Sequence, residues 1–312
     1  MRIKIIGSAA GGGFPQWNCN YRLSRAARDG VAGVHSRTQS SIAATANKTD
    51  WVLFNASPDI RQQIAQTPDL QPADNSSLRS TPIAAVVLSN ADVDHVSGLL
   101  SLRERQPFAI YATAQVLGTL EANSIFNVLD PEIVPRRVLP PMDGLSIRDA
   151  DGKETGVVVD AFPVPGKIAL YLEQRGDPSA SFSSDTGETI GVRITGAGSS
   201  GAAFYIPGCA RLYPSLRTRV ANAACLLFDG TVYTDDEMIA AGVGSKTGAR
   251  MGHIAMSGEA GSIAGFAGVK IGRRIFVHIN NTNPVLDENS AEHAAVKAAG
   301  WEIAMDGMEM EF

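Results

Sequence analysis

The sequence predicts an α+β fold: two mixed β-sheets packed face to face with helices outside, built from residues 1–312 as one domain. Three observations lead there. Short apolar runs of strand length recur in both halves of the chain. Helix-like segments fall between them, so each sheet has cover for its outer face. No Pro/Ser-rich linker and no short-period repeat divides the chain into blocks.

Residues 2–6 alternate charged and β-branched types and run into the glycine-rich turn Gly7 to Gly13, a strand followed by a loop. Thr38 to Ala46 and Trp51 to Asn55 read as a strand pair joined by the turn Asn47-Lys48-Thr49-Asp50. Pro58 to Gln66 reads as a helix, with Ser57 as N-cap and Pro58 at its first position. The continuous apolar run Ala84–Leu88 marks a buried central strand, and a helical pattern follows from Val96 to Glu104. Phe108 to Tyr111 is another strand and Gln115 to Asn127 an amphipathic helix. Val157–Val164, Ile168–Leu172, Thr189–Ile194 and Ala203–Ile206 read as strands, and the Ser-, Asp- and Gly-rich stretch Asp177 to Glu188 as an exposed loop. Two more buried strands, Ala224–Phe228 and Arg274–Ile279, precede or flank helices at Gly258–Ala267 and Ala291–Ala299.

A chain of 312 residues with 44% hydrophobic content buries enough surface to fold without disulfides. Its cysteines, Cys19, Cys209 and Cys225, are odd in number and widely spaced, which is not a disulfide framework. The net charge of −5 and the lack of any dense Lys/Arg run argue against a nucleic-acid partner. The apolar start Ile3 to Ile6 is too short for a signal-peptide core, and no segment approaches the roughly 20 apolar residues of a membrane span. A soluble cytoplasmic protein with no membrane partner is expected. A homodimer is compatible with the sequence.

Three of the five histidines fall where chemistry is expected. His95 closely follows a buried strand, beside Asp94 and three residues after Asp92. His278 ends the strand Arg274–Ile279 and precedes Asn280-Asn281-Thr282-Asn283-Pro284. His253 lies in a loop. Carboxylates and imidazoles leaving a strand end suit Fe(II), Mn(II) or Zn(II). Capping of the next helix is the competing role for the aspartates. Asp229, at the end of Ala224–Phe228, is a metal ligand, a supporting carboxylate or simply the first residue of an Asp-Gly turn. Asp235-Asp236-Glu237 reads as a solvated face or helix start, and His35 and His293 as surface residues.

Ser89-Asn90-Ala91-Asp92-Val93-Asp94-His95 resembles a degenerate His-x-His-x-Asp-His motif of metallo-β-lactamase-fold proteins. Asn90 and Asp92 stand where the first two histidines would be, while Asp94 and His95 match. A metallo-β-lactamase-like αββα sandwich is therefore the expected fold. Loss of the first histidine favours a single-metal site over a two-metal hydrolytic one. Gly208-Cys209, near the place where related hydrolases carry a bridging aspartate, points the same way.

The resemblance narrows further. Gly7-Ser8-Ala9-Ala10-Gly11-Gly12-Gly13-Phe14-Pro15-Gln16-Trp17-Asn18-Cys19-Asn20, Arg37-Thr38-Gln39-Ser40-Ser41 and Asn55-Ala56-Ser57-Pro58-Asp59-Ile60-Arg61 are similar to the B family of pyrroloquinoline quinone (PQQ) biosynthesis proteins. So are Gly98-Leu99-Leu100-Ser101-Leu102-Arg103-Glu104, Asp229-Gly230-Thr231, Asp235 to His253, and His278 to Ser290. That family commonly carries a Cys-x-Cys-x-x-Cys zinc site near its N-terminus. Here Cys19 remains but Tyr21 and Ser24 replace the others, so no structural zinc is expected.

The resemblance implies an Fe(II)- and O₂-dependent hydroxylase acting on the tyrosine ring of a glutamate–tyrosine intermediate cut from a precursor peptide. Its metal set would be His95 and His278 with Asp94 or Asp92. His253 would be a further ligand or a proton-transfer group. Arg103, Asn280 and Asn281 are candidates for substrate contact or support. The alternative is a carrier that binds finished PQQ and assists its export. A hydrolase is disfavoured by the missing histidines. Two glycine-rich stretches carry weaker signals. Gly7 to Gly13 lacks the Gly-x-Gly-x-x-Gly spacing of a dinucleotide loop and is expected to border the cleft. Gly242 to Gly248 lacks Walker A spacing and reads as a loop near the site.

Overall fold

The computed structural model describes residues 1–74, 76–140, 144–172, 182–183, 187–199 and 201–312. Strands β1 (Arg2–Gly7), β2 (Ser41–Thr45), β3 (Trp51–Phe54), β4 (Ile83–Val87), β5 (Ala109–Ala112) and β6 (Arg136–Val138) belong to a first sheet. A second contains β7 (Leu145–Arg148) and β8 (Glu154–Pro163); a short pair, β9 (Gly166–Lys167) and β10 (Phe182–Ser183), stands apart. The second sheet continues with β11 (Ile190–Gly196), β12 (Ala203–Ile206), β13 (Cys225–Asp229), β14 (Arg273–Val277) and β15 (Glu302–Ile303), and β16 (Glu309–Glu311) returns to the first. The orders are β16-β1-β2-β3-β4-β5-β6 and β15-β14-β13-β12-β11-β8-β7. Both sheets are mixed: β3 to β6 run parallel in one, β12 to β15 in the other.

Strand alternation divides the apolar residues into layers. Ile3, Ile5, Val52, Phe54, Ala85 and Val87 meet Val157, Val159, Val192, Tyr205, Leu227 and Val277 in the core between the sheets. The opposite faces of the same strands, Leu53, Val86 and Ile110 in the first sheet, pack on Ile60, Leu99, Val116 and Leu120. On the second sheet Phe204, Leu226, Phe228 and Phe276 pack on Leu216, Val220, Phe266 and Val296. Strands β4 and β13 read as unbroken apolar runs because both of their faces are covered. The expected αββα sandwich is observed. Among the described residues no helix is long and apolar enough to cross a membrane.

Several element boundaries differ from expectation, each for a tertiary reason. The helix expected over Val96–Glu104 is an α-turn, Val93–Val96, followed by a 3₁₀ stretch, Ser97–Leu102. There Ala56 N–H donates to the His95 carbonyl and Gly98 N–H to the Ala56 carbonyl, so another segment takes the backbone groups a longer helix would use. The helix expected from Pro58 begins at Ile60; buried Ser57 Oγ accepts from Asp59 N–H, as a cap would, and donates to Gln63 Oε1. Gln115–Asn127 splits into Ala114–Ala122 and a 3₁₀ stretch Ser124–Val128, with the Asn123 amide bonding back to the Thr119 carbonyl. Ile168–Leu172 is not a strand; Leu170–Leu172 forms a 3₁₀ turn. Gly258–Ala267 shortens to Ser262–Gly265, Gly258 having a left-handed φ of 83°. Helices Arg22–Arg28 and Pro214–Val220 were not expected. Most of the loop expected at Asp177 to Glu188 lies outside the described residues.

Gly98 makes the closest approach of this region. A Cβ there would overlap the Ser57 carbonyl oxygen and lie 2.7 Å from that of Ala56. Gly98→Ala is expected to cost about 2 kcal/mol or more, through displacement of the backbone that carries His95. Urea denaturation of the two proteins measures it.

Candidate metal centre

The site lies at the carboxyl ends of parallel strands from both sheets, where side chains leaving the two layers converge. His95 follows β4, Asp229 ends β13 and His278 directly follows β14. The glycine-rich loop joins the layers here: Ile279 N–H donates to the Ser8 carbonyl, and Ala10 N–H to the Ile279 carbonyl. Gly11 lies against Asp94, where a Cβ would come within 3.4 Å of the carboxylate. The loop borders the site, as expected. His278 has a φ of 58°, a conformation few non-glycine residues adopt, and the pairing of Ile279 on both sides holds it there.

Hydrogen-bond direction sets the state of His95. Asn90 Oδ1 accepts from Asp92 N–H at 3.0 Å, and Asn90 Nδ2 donates to Asp92 Oδ2 at 3.3 Å, which fixes the amide's orientation. The same Oδ1 lies 2.7 Å from His95 Nδ1, so Nδ1 carries the proton and Nε2 presents a lone pair. His95 is 2% exposed and its Nε2 has no hydrogen-bond partner. Burial, moderated by Asp94 and assisted by the other two histidines, pushes the imidazole pKa down to about 4, so it is neutral at pH 7.

The other two imidazoles meet Thr231. Its Oγ1 is 2.7 Å from Asp229 Oδ1, which can only accept, so the hydroxyl donates there. It then accepts from His278 Nδ1 at 2.8 Å. His253 Nδ1 donates to Asp229 Oδ2 at 2.8 Å. Each histidine thus spends Nδ1 on an acceptor and leaves Nε2 for another role, the state of metal-bound imidazoles supported by outer acceptors. Asp229 is fully buried and also accepts from Cys209 and Thr231 N–H groups. Burial and the Asp229 charge push the Cys209 thiol up to about 12, which removes it as an easy thiolate ligand.

Asp94 Oδ2 lies 3.1 Å from His278 Nε2 and 3.8 Å from His95 Nε2. Burial favours the neutral Asp94 carboxyl, but the charge His95 takes on in acid, the His278 hydrogen bond and the His278 charge outweigh it and hold the pKa well below the carboxylate range. Burial likewise opposes protonation of His278, yet the Asp94 hydrogen bond and charge raise its pKa. Asp94, His95 and His278 form one group able to hold a cation, and Asp229, His253 and His278 a second that shares His278. A buried, unpartnered imidazole nitrogen facing a carboxylate and a second imidazole fits one divalent ion.

Of the other candidates, Asp92 stands outside both groups, in the N-cap position of Val93–Val96 without a side-chain cap bond. Asn280 donates its amide to Thr282 Oγ1 and its N–H to the Thr231 carbonyl. Asn281 bonds to Gln16 and Cys19. Arg103 is not brought to the cluster: it is exposed and bonds to the Leu100 carbonyl and Glu104. His35 pairs with Glu288 and His293 with the Val285 carbonyl. Gly248 opens the turn that delivers His253, whose N–H donates to the Gly248 carbonyl. Sequence reasoning missed the roles of Asn90 and Thr231. Both sat inside the motifs already noted, but only their partners show what they do.

Asp235-Asp236-Glu237, read as a solvated face or helix start, is a helix start: Glu237 opens the helix Glu237–Ala240, but it is buried. Its carboxylate accepts from Tyr233 N–H and Thr282 Oγ1, both at 2.6 Å, tying the Thr231–Glu237 loop to the one after His278.

Comparisons with known proteins bear on the fold and the family. Residues 50–279 match the family model described as Beta-lactamase superfamily domain. The chain is 50% identical over 311 residues to the coenzyme PQQ synthesis protein B of Methylorubrum extorquens strain PA1, covering 100% of both chains. It is 52% identical over 310 residues to that of Methylobacterium sp. strain 4-46, covering 99% of each. It superposes on the crystal structure of Zn(2+)-bound PqqB from Methylobacterium extorquens with a TM-score of 0.94, at 49% identity and full coverage of both chains. The chain is thus a metallo-β-lactamase-fold protein. Within that class it belongs to the coenzyme PQQ synthesis protein B family.

Two predictions follow from these bonds. Asn90→Ala frees His95 to rotate and lose its tautomer, so zinc affinity is expected to fall by about tenfold to a hundredfold in chelator competition. Burial raises the Glu237 pKa from 4.5 to about 7, against its hydrogen bonds from Thr282 and Tyr233. The folded protein therefore holds this proton where the unfolded chain has lost it, and the associated stability fades as pH rises from 4.5 through 7. Glu237→Gln should flatten that fall, by about 3 kcal/mol across the window, in denaturant titrations at pH 5 and pH 8.

Proposed function

We propose that this chain acts in PQQ biosynthesis as an Fe(II)- and O₂-dependent hydroxylase of the tyrosine ring in a glutamate–tyrosine intermediate. The pathway rests on relatives named coenzyme PQQ synthesis protein B at about 50% identity over the whole chain. The observation that carries the chemistry is the buried, unpartnered Nε2 of His95 beside Asp94 and His278. Two imidazoles and one carboxylate suit a ferrous ion, with Zn(II) or Mn(II) as possible substitutes in vitro. Bound iron would supply the one-electron chemistry that O₂ needs and side chains lack.

The chain's own residues have separable tasks. Asp94, His95 and His278 would hold the ion. Asn90 and Thr231 keep two of the imidazoles turned towards it. Asp229 accepts the His253 Nδ1 hydrogen bond, which leaves the His253 Nε2 lone pair free to take a proton from a phenol. Side-chain exposures of 14% for His253, 7% for His278 and 2% for His95 make His253 the most accessible of the three. Asn280, bonded to Thr282, supports the loop after His278. Each oxygenation would place one oxygen atom of O₂ on the ring and reduce the other to water, with two electrons and two protons from an external reductant such as ascorbate.

The test is anaerobic Fe(II) loading, followed by oxygen uptake and mass analysis with glutamyl-tyrosine and ascorbate. Mass gains in steps of one oxygen are expected, abolished in His95→Ala and His278→Ala and slowed about a hundredfold in His253→Gln. Absence of any mass gain in the iron-loaded protein, with tight stoichiometric binding of PQQ, would replace the hydroxylase by a carrier.

A further inference from the structure

The loop that places Gly11 against Asp94 continues into the wall of a separate cavity. Gly12, Gly13, Arg37, Asp59, Gln62 and Asp306 are among the residues lining a space of about 580 Å³. That falls within the roughly 300–1,000 Å³ of small-molecule sites. The metal-centre chemistry gives this cavity no task.

Its charged groups are unevenly satisfied. Arg37 is 5% exposed, and burial lowers its pKa to about 10. Its Nε donates to the Ala304 carbonyl at 3.1 Å and its Nη1 to the His35 carbonyl at 3.4 Å. Among the described residues its Nη2 has no partner and no carboxylate lies within ion-pair distance. Asp306 and Glu288 act on it only from beyond pairing distance, and a guanidinium pairs best with a carboxylate in two parallel bonds. Asp306 cannot answer that need: its two oxygens already accept four hydrogen bonds, from the N–H and hydroxyl groups of Ser8 and Thr38. Asp59 is half satisfied. Oδ2 accepts from Gln39 N–H at 2.8 Å and Gln39 Nε2 at 3.0 Å, while Oδ1 accepts nothing among the described residues.

One cavity thus offers an unused guanidinium edge and an unused carboxylate oxygen. A simple anion would meet Arg37 but also face Asp59 and Asp306. A simple cation would leave Arg37 unanswered. We propose that the cavity binds a small zwitterion of the amino-acid class, its carboxylate on Arg37 and its ammonium on Asp59 Oδ1. The site is distinct from the metal centre and shares only the glycine-rich loop with it. Its occupancy would stiffen the loop that rests on Asp94.

Calorimetric titration of the full-length protein tests this with L-glutamate, L-leucine and L-tyrosine, each beside its analogue lacking the amine and its analogue lacking the carboxylate. At least one amino acid should bind, with either analogue weaker by about tenfold or more. Gln62→Trp fills the space from an exposed position and should abolish binding, and Asp59→Asn should weaken it by about tenfold. His95→Ala should bind normally, which separates this site from the metal centre. The proposal falls if no amino acid binds, if an analogue binds as well as its parent, if Gln62→Trp binds unchanged, or if His95→Ala loses binding.

Discussion

The candidate site depends on where three imidazole protons are placed. His95, His253 and His278 give their Nδ1 protons to Asn90, Asp229 and Thr231, and each acceptor is itself tied to the backbone or to another buried group. In water such orientation would be worth little. In a buried pocket an imidazole turned the wrong way would leave a donor and an acceptor unsatisfied, at a cost of about 1–3 kcal/mol for each. Burial therefore makes one tautomer dominant, and Nε2 of His95 is left facing Asp94 and His278.

That arrangement requires both sheets. Asp94 and His95 come from the segment after β4 in one layer, and His278 and Asp229 from strand ends in the other. The core between the layers fixes their separation, and Ser8–Ala10 binds the layers at the rim through Ile279. The strained backbone at His278 follows from the same constraint: its neighbours are held by pairing, so the residue between them adopts the turn that remains. Asp306 reinforces the rim by joining Ser8 to Thr38. Packing stability and site geometry are thus served by the same contacts.

Sequence reading fared best where one residue type has one physical use. The unbroken apolar strands β4 and β13, the turn Asn47–Asp50, and the adjacent Asp94-His95 pair were all legible, because burial, turn chemistry and ligand chemistry each leave a local mark. Element boundaries were less legible. The helix read from Pro58 begins two residues later, at Ile60; Val96–Glu104 looked helical until Ala56 took part of its backbone bonding. Glu237 opens a helix, one of the two readings its acidic run allowed, but nothing nearby in the chain announces its burial or Thr282 as its partner.

The sequence by itself determined the layered α+β architecture, the family, and the set of histidines and aspartates from which a centre could be made. Local pattern suffices for these, since periodicity, turn chemistry and motif spacing are properties of short segments. Tertiary structure decided how the candidates divide: Asp94 beside His95 and His278, Asp92 bonded to Asn90, Asp229 behind His253, Arg103 on the surface. It also turned Asn90 and Thr231 into supports. Those distinctions rest on hydrogen bonds between groups brought together only when the two sheets close, and on burial that the chain acquires only as a whole.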